Sequence, residues 1–301
     1  MKSFALAAIL IAAPIFPAYA QAPLPPLQPP PPGASAAALP PPQAAPAYPA
    51  AELDRIVSPI ALYPDPLLAQ VLAASTYADQ IPDAARWADE HHALAGGAMT
   101  GAIAEDQLTF DPSVQALLAF PSVLDMMASA MPWTQELGNA FLAQHDAVMD
   151  AVQRMRRQAV DFGYLRTNPQ VNVVTGPYVE ILPVNPSFIV VPYYNPAVVF
   201  VAPHPGFHVA TAISFGYGVS LGAVWAPWGW GATRFEWATH GVIVANAPWR
   251  RTWVNRITYV HPYAVRRYDT RGVEGHRAMP RSQYERRSQW TGRPHPEEHR
   301  K

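Results

Sequence analysis

Glu105, Asp106 and Asp111 stand close together in the chain. Carboxylates are the residues that cleave glycosidic bonds when two of them flank the bond, one as acid and the other as base or nucleophile. That chemistry needs a set separation in space, which adjacency in sequence does not supply. Neighbouring acids in an acidic, helix-forming stretch are ordinarily solvated, and Asp111 stands before Pro112 as a helix N-cap. An envelope hydrolase using these helical-domain carboxylates is therefore the catalytic alternative rather than the leading reading.

Metal chemistry has two candidate clusters, Asp89-Glu90-His91-His92 and the i, i+4 pair His295 and His299. A zinc site wants four converging ligands, and neither segment supplies them by itself; no H-E-x-x-H pattern occurs. Gly216-Tyr217-Gly218 with Gly222 has the wrong spacing for a G-x-G-x-x-G phosphate loop. Composition does not exclude a Ser-His-Asp triad, but no nucleophile elbow is expected. No metal site and no cofactor are expected, and no residue is assigned a catalytic role.

The remaining signal is aromatic and cationic. Tyr193, Tyr194, Tyr217, Trp225, Trp228, Trp230, Trp237, Trp249 and Trp253 crowd the C-terminal half, with Arg250, Arg251 and Arg256 interleaved among the last of them. Indoles stack on flat ligands, and guanidinium groups pair with carboxylates and phosphates. Trp249, Arg250, Arg251, Trp253 and Arg256 are the candidate ligand-binding residues. The competing reading is a small aromatic core that substitutes for disulfides, since the chain has no cysteine.

The elements that must position these groups begin with an export signal. Met1-Lys2, an apolar and small-residue run from Phe4 to Phe16, and Ala18-Tyr19-Ala20 before Gln21 predict a cleaved signal peptide over 1–20. The run is too short to span a bilayer, and the missing cysteine excludes a lipidated start and any disulfide. The protein is thus expected in the periplasm or outer cell envelope, with its mature N-terminus at Gln21. Twelve of the 35 prolines fall between Pro23 and Pro49, so 21–50 is expected to be a disordered, extended spacer.

From 51 to 163 the pattern is helical. Asp65-Pro66 and Asp111-Pro112 predict an N-capping carboxylate followed by a first-turn proline, and Pro82, Pro121 and Pro132 predict further helix starts. Short helices are predicted over Pro66–Tyr77, Pro82–Leu94 and Pro112–Phe120, with Gly96-Gly97 ending the second. One long helix is predicted from about Pro132 to Phe162, with Asp150 and Arg154, and Arg157 and Asp161, as supporting i, i+4 pairs.

Strand signals follow. Over 164–202 the runs Val171–Val174, Tyr178–Val184, Phe188–Tyr194 and Ala197–Val201 predict an antiparallel meander punctuated by Gly-Pro and Asn-Pro turns. Within 203–264 the uncharged stretch Val209–Trp230 admits a membrane helix, because Ser214, Gly218 and Gly222 lie four apart. Yet Ile213, Phe215, Tyr217, Val219 and Leu221 alternate with small residues, a period-two strand pattern. Together with Gly241–Ala245 this predicts a β-hairpin. The segment 265–301 is expected to be a disordered basic tail. The net charge of −1 hides an asymmetry: 15 acidic and 5 basic side chains over 52–163, against 7 acidic and 15 basic over 164–301.

Four segments, "IALYPDPLLAQVLAAST", "FDPSVQALLAFPSVLDMM", "LGNAFLAQHDAVMDAVQRMRRQA" and "VPYYNPAVVF", resemble in order and spacing the bacterial exported family known as domain of unknown function 3300. The chain departs from that pattern at Tyr77-Ala78, Phe110 and Val201, positions of packing and turns. The resemblance implies an envelope location, a helical block followed by short strands, and a glycine- and tryptophan-rich segment with a basic tail. It carries no activity and no catalytic residues.

The expected fold class is α+β, a multi-helix domain followed by a small antiparallel β region. The expected function is a non-catalytic envelope protein that binds an anionic glycan, a lipid headgroup or another protein through its basic, aromatic C-terminal half. A membrane-embedded assembly through 209–230 is a third alternative, and nucleic acid is not an expected partner.

Overall fold

Prolines open six helices of the computed structural model, which describes residues 44–94, 96–204, 206, 209–216, 218–221 and 230–260. Eight helices occupy the described part of the N-terminal half: α1 (Ala50–Val57), α2 (Asp65–Ser75), α3 (Ile81–Glu90), α4 (Gly96–Glu105), α5 (Pro112–Ala116), α6 (Pro121–Ser129), α7 (Met131–Ala143) and α8 (His145–Asp161). Pro66, Pro82, Pro112, Pro121 and Pro132 sit in the first two positions of their helices, where a missing N–H forfeits no bond. Asp111 caps α5, its Oδ1 accepting from the Ser113 backbone N–H at 2.9 Å. Asp65 does not cap α2. Pro64 holds the cap position, and the Asp65 carboxylate is buried.

The long helix expected to begin at about Pro132 is two helices. Gln144 leaves the helical region at φ −137 and ψ 50, and its side-chain amide pairs with both the N–H and the C=O of Tyr48 as a strand neighbour would. The break divides the apolar stripe, so that α7 packs on α2 while α8 packs on α1. The centre is α2, buried from Leu67 to Ser75 and apolar on nearly every side. Gly138 of α7 is needed there, because a Cβ would lie 2.1 Å from the Ser75 carbonyl oxygen. The expected i, i+4 ion pairs on α8 are replaced by tertiary contacts. Arg154 pairs with Asp54 at 2.7 Å, Asp150 meets the His240 ring at 2.9 Å, and Arg157 donates to the Pro177 carbonyl.

The strands form small antiparallel sheets. β1 (Val171–Thr175) and β2 (Val179–Pro183) make a hairpin. β3 (Phe188–Ile189) and β4 (Pro192–Tyr194) come from one run, and the expected strand at Ala197–Val201 is instead the short helix α9 (Pro196–Val199). Asn195-Pro196 is a helix start, with the Asn195 side chain accepting from the Ala197 N–H at 2.9 Å. β5 (Ile213–Phe215) pairs with β4, and β6 (Val219–Ser220) pairs with β3. The register slips by one residue between the two pairings. The large-small alternation has a cross-strand purpose. The Phe188 ring occupies the space a Gly218 side chain would fill, and the Tyr193 ring covers Gly216.

β5 and β6 do not pair with the Gly241 run. β8 (Gly241–Val244) lies between β7 (Arg234–Glu236) and β9 (Ala247–Pro248). Its turns need positive φ at His240, Ala245 and Asn246, which directs each strand to its immediate sequence neighbour. The part of Val209–Trp230 that is described contains strands, and among the described residues no helix is long and apolar enough to cross a membrane. The expected signal peptide, most of the proline-rich spacer, the basic tail, Tyr217, Trp225 and Trp228 lie outside the described residues.

One buried ion pair joins helices to strands within the unit that runs from Ala45 onward. The Arg156 guanidinium meets the Asp65 carboxylate at 2.6 Å and donates to the carbonyls of Ala61, Tyr63 and Val179. Asp65 also accepts from the Ile181 N–H and from Trp237 Nε1. Gln153 holds Val179 by both its N–H and its C=O. The free edge of β2 is thus satisfied by side chains of the helical half.

Candidate functional site

The five candidate ligand-binding residues all fall in one strap, 249–260, which runs over the ends of α2 and α7. Trp249 is buried, its ring 6.4 Å from Tyr77 and 5.3 Å from Tyr259. Arg251 lies over the Tyr77 ring at 3.7 Å and donates through Nη1 to the carbonyl and hydroxyl oxygens of Thr76, the C-cap of α2. A guanidinium there meets the negative end of the helix and its unpaired carbonyls. The Trp253 N–H donates to the Leu142 carbonyl at the end of α7, and Arg256 covers the Trp253 ring at 3.9 Å while bonding its carbonyl. Arg250 points into solvent, with no ion pair among the described residues.

The strap therefore separates by role. Trp249 and Arg251 fasten it, Trp253 and Arg256 form a half-exposed stacked pair, and Arg250 is free toward solvent. Burial raises the Tyr77 hydroxyl well above the ordinary tyrosine range, with the Asp111 carboxylate adding to the effect and Arg251 opposing it. Burial likewise raises Tyr259. Both phenols stay neutral at any physiological pH. Trp230 and Trp237 are buried as well, so most of the described tryptophans belong to a core built around aromatic rings.

The carboxylate cluster does not converge. Asp111 is committed to α5, Asp106 accepts from Trp87 Nε1 at 2.6 Å, and Glu105 is exposed at the end of α4. Two shallow depressions, of about 550 and 440 Å³, are lined by Tyr48, Trp133 and Glu136 and by Asp54, Met155 and Phe200 among others; neither includes those three acids. His91 stacks on Trp87 at 4.0 Å and stands 3.8 Å from Asp106. Among the described residues no three His, Asp or Glu side chains gather to hold a metal ion. His295 and His299 lie outside the described residues.

One pattern corrects the expectation of no nucleophile elbow, since Gly218-Val219-Ser220-Leu221-Gly222 does fit G-x-S-x-G. Ser220 is paired with Phe188 inside β6, and the ladder continues as Leu221 N–H donates to the Ser187 carbonyl. That is not the sharp strand-to-helix turn that lifts a serine nucleophile out of a sheet.

Sequence reasoning passed over Val254, Ile257 and Val260, which lie on the strap beside these arginines and project into solvent. The signal available was an aliphatic residue at every third position in a stretch otherwise polar, aromatic and cationic.

A family model described as "Protein of unknown function (DUF3300)" matches residues 49–270, from α1 through the strap. The chain belongs to the DUF3300 family. This DUF3300 chain is similar to "Uncharacterized protein YacH" of Escherichia coli (strain K12), 35% identical over 187 residues that cover 51% of this chain and 30% of that protein. It thus spans less than a third of the length of that relative. No solved structure matches.

Proposed function

We propose that this DUF3300 protein is exported to the cell envelope and acts there as a non-catalytic module that binds an anionic partner through its cationic C-terminal half. The observation that carries this is the strap. Buried Trp249 and helix-capping Arg251 fasten it to the acidic helical half, while Arg250 and Arg256 stay on the outer side. Guanidinium groups so placed suit phosphate or carboxylate. The scattered carboxylates, with Asp111 already used as a cap, favour binding over hydrolysis.

Two measurements test this. N-terminal sequencing of envelope-fractionated protein should start at Gln21 or its cyclised form, and a retained Met1 would overturn export with cleavage. The chain from Gln21 should bind soluble polyphosphate at low salt and release it as salt rises, since exposed charges are screened over a Debye length of roughly 8 Å at physiological ionic strength. Truncation after Pro262 should remove most of the affinity. Equal failure of both forms at low salt would refute the anionic partner.

A further inference from the structure

Val254, Ile257 and Val260 are 93%, 87% and 83% exposed, whereas no other large apolar side chain in the described residues exceeds 50%. The turn that carries them is held by its own polar groups. Thr252 N–H donates to Asn255 Oδ1 at 2.7 Å, Asn255 Nδ2 to the Arg250 carbonyl at 2.9 Å, and Tyr259 N–H to the Asn255 carbonyl at 2.8 Å. Arg251 Nη2 donates to the Arg256 carbonyl, and Trp253 N–H ties the turn to α7. With the backbone fixed inward, the aliphatic tips are presented outward by construction. Bare aliphatic side chains on a braced turn lose free energy in water, and burying one would recover it.

The surroundings say what would bury them. From Trp237 to Val260 the chain holds three arginines and no acidic residue. Arg250 and Arg256 lie on the same strap as the tips, and half-buried Trp253 and Tyr259 are next to them in sequence. Aliphatic points that share a strap with cations and amphipathic rings match a lipid interface, where tips enter the acyl boundary, rings lie at headgroup level and arginines meet anionic headgroups. A sugar polymer offers no deep apolar phase for three aliphatic tips. We propose that Val254, Ile257 and Val260 are prongs that insert into the surface of a bilayer containing anionic lipid. This rests on the reading that the C-terminal half binds anions, and names the partner. It involves no membrane-spanning helix. Apolar insertion and cationic attraction supply the two signals that stable peripheral binding takes.

The absence of cysteine makes the test clean. In the chain from Gln21, Ile257→Cys and, as control, Val174→Cys on β1 are labelled with an environment-sensitive fluorophore and mixed with vesicles of equal parts phosphatidylglycerol and phosphatidylcholine. The label at 257 should shift to the blue and the label at 174 should not. The double variant Val254→Ser with Ile257→Ser should bind these vesicles roughly tenfold more weakly, as expected from loss of partly buried aliphatic side chains. It should keep both the parent's melting temperature and its affinity for soluble polyphosphate. Vesicle binding with an unshifted label at 257 and an unaffected serine variant would overturn insertion and leave the anionic partner standing. Polyphosphate binding without vesicle binding would do the same and favour a protein or soluble polymer. Failure on both probes would refute the insertion and the anionic-partner reading together.

Discussion

Arg156 Nη1 lies 2.6 Å from Asp65 Oδ1, and both side chains are sealed from solvent. The pair is hydrogen-bonded on every side to backbone from the α1–α2 turn and β2, and to the Trp237 indole, so it ties together chain segments far apart in sequence. A buried pair of this kind contributes little beyond a well-packed apolar replacement, but losing one partner strands the other charge. Arg156→Met should cost about 3–5 kcal/mol, read as a fall in the urea midpoint. A loss below about 1 kcal/mol would show that the pair does not organise the core.

Two helical glycines should respond to alanine with opposite signs. At Gly138 the added methyl would meet the Ser75 carbonyl oxygen at 2.1 Å, and backbone cannot swing aside, so α7 must move off α2. Gly138→Ala should destabilise by about 3 kcal/mol, at the upper end for overpacking. Gly101, inside α4, has nothing within 4 Å of such a methyl. Gly101→Ala should stabilise by up to about 1 kcal/mol through helix propensity. Thermal melts of the two variants should move apart.

Helix starts were legible in the sequence because proline at a first turn is a local signal, and the strands Ile213–Phe215 and Val219–Ser220 were legible because period-two alternation is local too. What stayed hidden depends on distant partners. Asp65 carries the same Asp-Pro signature as Asp111, and only the position of Arg156, 91 residues away, turns its carboxylate inward. The pairing of β4 with β5 is set by where the chain returns, and the alternation cannot report it. The candidate site was legible as a segment, since all five residues share the strap. Their division into fasteners and outward groups was not, because Thr76 and Tyr77 lie in another part of the chain.

His145 gives the protein an acid sensitivity with a defined sign. Burial between Phe141 and the His240 turn holds its imidazole below the ordinary histidine value, with the neighbouring His240 adding to this and Asp146 and the bond to the His240 carbonyl opposing it. The unfolded chain takes up this proton at about pH 6.5 and the folded chain only at lower pH. Stability from this site is therefore complete above about pH 6.5. It is lost as pH falls toward the folded value, with a slope of at most about 1.4 kcal/mol per pH unit. His145→Gln keeps an N–H donor for the His240 carbonyl and cannot titrate. Urea midpoints measured between neutral and mildly acidic pH should fall less for this variant than for the parent. Parallel curves would assign the acid sensitivity elsewhere.

Arg250 and Arg251 are adjacent in sequence and should behave oppositely. Arg251 is occupied three ways, over the Tyr77 ring, on the Thr76 carbonyl that ends α2 and on the Arg256 carbonyl, so its charge serves the fold. Arg251→Ala should lower stability by about 2–4 kcal/mol, from lost charge-assisted hydrogen bonds and the lost ring contact. Arg251→Lys should restore little of it, because an ammonium cannot span those carbonyls as a planar fork does. Arg250 contributes only backbone groups to the strap, and its exposed side chain should change stability by less than about 0.5 kcal/mol when replaced by alanine. The same Arg250→Ala variant should bind polyphosphate several-fold more weakly at low salt, with the difference closing as salt rises. Unchanged polyphosphate binding by Arg250→Ala would remove this side chain from the anion-binding surface and shift the burden to the arginines beyond Pro262.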